Sequence, residues 1–216
     1  MLLLADNRLP SVARLVTGEP IRGSWWAHPQ SHAIFQASSR LAGHRDVLKA
    51  KLIGGKVTFI HRDLWPALYA VGTAREAWQI SKLSRSASSL LARVRRAGVV
   101  RIDQLARASG MAGAAAASAR ELSAAARELE ARLLIYAEPF HSGAGMHSKR
   151  LESWAHWARR ARLPRRVERP AEARQQIEQA AARLVGRRES RLLPWAPGRD
   201  ATARQAKSRE RARRKR

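Results

Sequence analysis

From residue 81 to residue 163 the chain changes its apolar period at glycines and capping residues, and the resulting order of periods admits few folds. Residues 81–97, SKLSRSASSLLARVRRA, set Leu83, Ala87, Leu90, Leu91 and Val94 on one helical stripe, which Gly98 stops. VVRI then reads as a short extended link. Asp103 caps a short helix, DQLARAS, which ends at Gly110, and a third helix over about 114–132 buries Ala119, Leu122, Ala126, Leu129 and Leu133. LLIYAEPF reads as a strand, SGAG as a turn and MHSKRL as the return strand, leading into the helix SWAHWARRA. Helix, strand, helix, turn, helix, hairpin is the order of a winged helix.

The stretch 1–76 uses the same vocabulary. LPSVARLVT predicts a short helix, and Gly18, Pro20 and Gly23 mark a loop into Trp25 and Trp26. Ser31 opens a second helix with Ile34, Phe35, Ala37, Ser38 and Leu41 on its apolar side, closed by Gly43. KAKLIGGKVTFI then predicts a hairpin, because Gly54-Gly55 suits a two-residue loop of positive φ. That loop would pair Leu52 with Val57, Lys51 with Thr58, Ala50 with Phe59 and Lys49 with Ile60. Period two then sorts Ala50, Leu52, Val57 and Phe59 toward the core, and Lys49, Lys51, Lys56 and Thr58 to the other face. Asp63 caps the next helix, Pro66 is tolerated in its first turn, and Gly72 ends it. Trp154 and Trp157 are expected to close the second unit. Pro164 ends the ordered core, and residues 170–187 form one more helix, with Ala173, Ile177, Ala180, Ala181 and Leu184 as its stripe.

Charge selects the partner. The 216 residues hold 42 Lys and Arg against 17 Asp and Glu, a net of 42 − 17 = +25, and such a chain attracts polyanions. The terminal stretch ATARQAKSRERARRKR, residues 201–216, carries eight basic groups and one acidic group, with nothing to bury. Nucleic acid fits better than an anionic membrane, since no helix pairs a basic face with a wide aromatic one. There is no cysteine, which excludes disulfides and thiolate metal sites. Leu2, Leu3, Leu4 and Ala5 stop at Asp6, too short for a signal-peptide core, and no apolar run approaches the roughly 20 residues of a membrane helix. A cytoplasmic protein is expected.

Three of the seven lysines, Lys49, Lys51 and Lys56, fall on the Gly-Gly hairpin, and they are the first candidates for phosphate contacts. Position in a winged helix adds Arg120 and Arg127 on the third helix, and His147, Lys149 and Arg150 beyond the wing turn. Glu121, Glu128 and Glu130 balance Arg120, Arg127 and Arg132, so the third helix is neutral and ill suited to reading a polyanion. His28, His32, His141 and His147 lack the cysteines and the spacing of a zinc site, and are read as caps or surface groups. No metal or cofactor is expected. No GxSxG, Walker loop or HExxH occurs, and no carboxylate pair suggests an active site.

Three stretches, WWAHPQSHAIFQASSRLAGHRDVLKAKLIGGKVTFIHRDLWPALYAV, LLARVRRAGVVRIDQLA and ARELEARLLIYAEPFHSGAGMHSKRLESWAHWA, resemble winged-helix proteins related to the AlkZ-type DNA glycosylases, over about residues 20 to 160. The resemblance implies DNA binding through tandem winged helices. Enzymes of that family remove alkylated purines with a Gln-x-Gln motif. This chain lacks it: Gln36 is followed by Ala37 and Ser38, and Gln175 and Gln176 are adjacent. The catalytic residues therefore do not carry over.

The expectation is a mainly α protein with small β-hairpins: tandem winged-helix-like units over 1–76 and 77–163, and a basic C-terminal tail over 164–216. Its expected function is duplex DNA binding, mainly through the phosphate backbone. The alternatives are a DNA glycosylase with a rearranged site, in which Glu or His activates water, and an RNA- or ribosome-associated protein.

Overall fold

The computed structural model describes residues 1–108, 112–141, 147–164, 168–185 and 192–196. The turn at SGAG, the helix end at Gly110 and the stretch 201–216 lie outside the described residues. The chain is mainly helical with small antiparallel strand pairs, as its apolar periods predict.

In the first half, β1 (Leu2–Leu3) leads to α1 (Val12–Thr17), which Ser11 caps by accepting from the Arg14 N–H and which Gly18 closes at φ 77°. A single 3-10 turn carries Trp25 to Ala27, and α2 (Ser31–Gly43) delivers the chain to β2 (Val47–Lys51) and β3 (Val57–His61). These strands make an antiparallel sheet in the order β1-β3-β2. Next, α3 (Trp65–Ala74) and the single turn α4 (Ala77–Ile80) close this half.

The hairpin register differs from the expected one. Lys51 pairs with Val57, Ala50 with Thr58, Lys49 with Phe59 and Leu48 with Ile60, one residue away from the two-residue-loop scheme. Leu52 to Lys56 form a longer loop around a 3-10 turn, with Gly54 at φ 61° and Gly55 at φ 71°. This loop buries Leu52 and Ile53 together, whereas a two-residue loop would send them to opposite faces. The slip regroups the side chains. Lys49 and Lys51 share a face with Val57 and with Phe59, which is buried as expected, while Leu48, Thr58 and Ile60 are buried on the opposite face.

The second half contains α5 (Arg85–Ala97), β4 (Val99–Arg101), α6 (Ile102–Ala108), α7 (Ala112–Ala131), β5 (Tyr136–His141), β6 (His147–Glu152) and α8 (Trp154–Arg160). Ser84 caps α5 by accepting from the Ala87 N–H, and the stripe of Ala87, Leu90, Leu91 and Val94 is buried as predicted. Gly98 stops the helix at φ 77°. The sheet order is β4-β6-β5, both pairs antiparallel.

Three further expectations give way. Gly72 does not end α3, which continues to Ala74; it lies against the Trp154 indole, and a Cβ there would stand 2.4 Å from Trp154 Nε1. Trp154 and Trp157 do not close the second half on itself. They join Trp65 and Tyr136 in a cluster that also holds Leu3, Leu52, Ile60 and Val71 from the first half. Nor does Pro164 end the core. In α9 (Pro170–Val185), Ala173, Ile177 and Ala181 are buried in that same cluster with Leu193. A second cluster, including Leu90, Val94, Ala126, Leu129, Ile135 and Leu151, fills the space between α5, α7 and the second sheet.

Candidate nucleic-acid interface

Lys49 and Lys51 project from the face of β2 that is turned away from the core, and period two puts them side by side. Opposite them α2 presents Phe35, and the turn before it presents Trp25 and Trp26, whose rings stack at 4.0 Å between centroids. Phe35 belonged to the expected buried stripe of α2, yet it is 47 % exposed and Trp26 is 61 % exposed. Together with Phe59, Pro139 of β5 and Lys149 of β6, these groups line a cleft of about 280 Å³.

Its floor is an ion cluster. Glu130 near the end of α7 accepts from Lys149 Nζ at 2.6 Å and from Lys51 Nζ at 3.3 Å. One carboxylate faces two ammoniums, so the cluster keeps a positive excess. Burial, reinforced by Lys51 and opposed by Glu130, holds the Lys149 ammonium below the usual lysine range. Lys49 lines the same cleft and has no hydrogen-bond or ion-pair partner among the described residues.

The cleft thus gathers Lys49, Lys51 and Lys149, and the other candidates stand elsewhere. Lys56 lies in the hairpin loop and pairs with Asp6. Burial works to raise the Asp6 pKa, but Lys56 and the backbone N–H groups of Arg8 and Leu9 hold it below the usual carboxylate range. Arg150 pairs with Glu138 across the β5–β6 ladder. Arg120 and Arg127 are exposed on α7, outside the cleft. His147 pairs with His141 in the ladder, and its side chain lies outside the described residues.

The other acids of α7 have partners outside the cleft. Glu128 accepts from the Ser84 N–H at 3.1 Å and from Ser84 Oγ at 2.7 Å, and Glu121 accepts from Ser86 Oγ. Histidines serve as local acceptors: Nδ1 of His28, His44 and His61 each takes the N–H two residues on. No group of three His, Asp or Glu suited to a metal occurs among the described residues. Gln36 meets His32 at 2.9 Å on α2. None of the described helices is long and apolar enough to cross a membrane.

Sequence reasoning missed Glu130 as the group that gathers the lysines, and it missed the exposure of Phe35. The first could not be read from spacing, since Lys51 and Glu130 are 79 positions apart. The second had a signal: Phe35 directly follows Ile34, and a narrow helical stripe rarely buries both.

A family model described as AlkZ related matches residues 2–193. No curated protein and no solved structure matches the chain.

Proposed function

The chain belongs to the AlkZ-related family, and from that premise we propose that it is a duplex-DNA-binding protein of DNA repair whose strand contact is the lysine cleft. The observation that carries this reading is the meeting of Lys49, Lys51 and Lys149 beneath the exposed rings of Trp26 and Phe35. Ammoniums on an open floor neutralise backbone phosphates and release their counterions. Exposed indole and phenyl faces offer stacking to a base that has left the duplex, whatever its identity. The order α5, β4, α6, α7, β5, β6 supports a winged-helix description of the second half, with backbone contact rather than base readout by α7, whose two arginines are outnumbered by three glutamates.

Binding is favoured over base excision. The Gln-x-Gln pair is missing, and Glu130, the carboxylate of the cleft, is already engaged by the Lys51 and Lys149 ammoniums.

The test is anisotropy of labelled duplex DNA across a salt series. Lys49→Gln with Lys51→Gln should lower the slope of log K against log salt by about 2, at roughly 0.9 for each phosphate that is no longer neutralised. Lys56→Gln should leave it unchanged, because that ammonium lies outside the cleft. Trp26→Ala should leave the slope and weaken binding to a duplex with an unpaired base by about 1–3 kcal/mol. Equal flattening by Lys56→Gln and by the cleft pair would remove the cleft from the interface. Preference for hairpin RNA at matched salt would replace the duplex as partner.

A further inference from the structure

Many of the cations with described side chains are engaged by acids, among them Lys51 and Lys149 by Glu130, Arg101 and Arg107 by Asp103, Arg132 by Glu128, Arg160 by Glu152, and Arg174 by Glu76. The C-terminal half of α5 gathers three that are not, on a helix without an acid. Arg93, Arg95 and Arg96 are exposed there and have no hydrogen-bond or ion-pair partner among the described residues. Between and before them stand only small exposed groups, Ser88, Ser89 and Ala92, and α5 contains no acidic residue. The nearby acids Glu121 and Glu128 are bound to serines at the other end of the helix. Arg95 also lines a second cleft of about 280 Å³ with Arg75, Thr73 and Ser153, and this cleft shares no residue with the lysine cleft. Arg75 holds left-handed backbone, φ 55°, at the end of α3, a conformation that costs a side-chain-bearing residue energy and that directs the chain out of the helix beside α5.

We propose that Arg93, Arg95 and Arg96 of α5, with Arg75 across the adjoining cleft, form a second phosphate-binding surface that holds the backbone of duplex DNA outside the lysine cleft. The inference rests on the DNA-binding reading and adds a surface to it. Small side chains between guanidiniums let a phosphate backbone approach the helix closely, and each guanidinium offers a planar fork to phosphate oxygens. An anionic membrane fits poorly, because it would need an apolar face on α5, and Ala87, Leu90, Leu91 and Val94 are already buried in the core. Guanidiniums at a helix C-terminus are also favoured there by the helix dipole, so α5 tolerates them without acidic neighbours.

The experiment uses the full chain and two variants of equal charge loss. One carries Arg93→Gln, Arg95→Gln and Arg96→Gln; the other carries Arg8→Gln, Arg14→Gln and Arg22→Gln, which are exposed in the first half. Thermal melts confirm that both fold. The α5 variant is expected to lower the salt slope for duplex DNA by about 2 to 3, and the other variant by less than about 1. Equal loss in both would mean diffuse attraction by net charge and would overturn the surface. So would an unchanged slope in the α5 variant, or a loss seen with hairpin RNA but not with duplex DNA. If the unaltered chain shows no salt-dependent duplex binding, the DNA-binding reading itself fails. If it binds and only the α5 variant is silent, that reading stands and the surface falls.

Discussion

Glu152 is the most deeply buried acid of the described residues, 1 % exposed at the end of β6, and each of its oxygens is engaged. Oε1 meets His156 Nδ1 at 2.7 Å and Arg160 Nε at 3.1 Å, and Oε2 accepts from Arg160 at 2.8 Å. Burial alone would raise its pKa, but the Arg160 and His156 hydrogen bonds hold the carboxyl below the usual glutamate range. A carboxyl whose folded pKa is depressed stabilises the fold above its unfolded value, near about 4.3, and loses that contribution as pH falls through the folded one. Glu152→Gln should therefore cost about 2 kcal/mol at neutral pH, the worth of charge-assisted hydrogen bonds. The stability difference between the variant and the parent chain should shrink as pH drops below about 4. Urea midpoints from pH 7 down to pH 3 measure it, and a constant difference would show that the carboxylate charge contributes nothing.

At the scale of elements, α3 and α8 approach as closely as they do because Gly72 has no side chain. A Cβ there would lie 2.4 Å from Trp154 Nε1 and 2.6 Å from Cε2, and the indole cannot swing away while its N–H is given to the Leu133 carbonyl at 2.6 Å. Gly72→Ala gains up to about 1 kcal/mol of helix propensity and meets an overpacking cost of about 1–3 kcal/mol. Net destabilisation is expected in urea melts, whereas Gly43→Ala, with open space around it, should be neutral or slightly stabilising. Equal effects of the two would mean that the helices part freely. Helices are the legible elements: the α5 stripe, its Ser84 cap and its Gly98 stop all follow from local chemistry. Gly72 is ambiguous in the sequence, because a helix-ending glycine and a packing glycine look alike until the neighbouring helix is placed. The hairpin is half legible. Two strands about a Gly-Gly pair can be read, but the register depends on burying Leu52 and Ile53 together, a tertiary demand that outweighs the shortest loop. The lysines of the cleft are legible as charges, and their convergence on Glu130 is not, because it depends on how the two sheets meet.

For the whole molecule the decisive fact is that the larger core cluster draws on β2, β3, α3, β5, α8 and α9 together. Aromatic contacts cross it: Trp65 meets Trp157 at 5.5 Å, and Trp78 meets Trp195 at 5.9 Å. Trp195 donates to Glu178 at 2.6 Å, and Arg174 pairs with Glu76 beside α4. The described stretches 170–185 and 192–196, although they follow the expected end of the core, are therefore structural in their first role. Exposing the pockets of Ile177 and Leu193, each worth about 1.5–3 kcal/mol on full burial, and of Ala173 and Ala181 removes much of a typical net stability of about 5–15 kcal/mol. A chain ending at residue 163 should melt far below the full protein or fail to remain soluble, while a chain ending at residue 200 should melt with it. Calorimetry of the three chains separates the outcomes. If the shorter chain kept the melting temperature of the full one, the cluster would not need α9. If the chain ending at residue 200 keeps the melting temperature but loses part of its affinity for duplex DNA, the basic stretch 201–216 acts on the polyanion alone, and the contributions of fold and charge are separated in one chain.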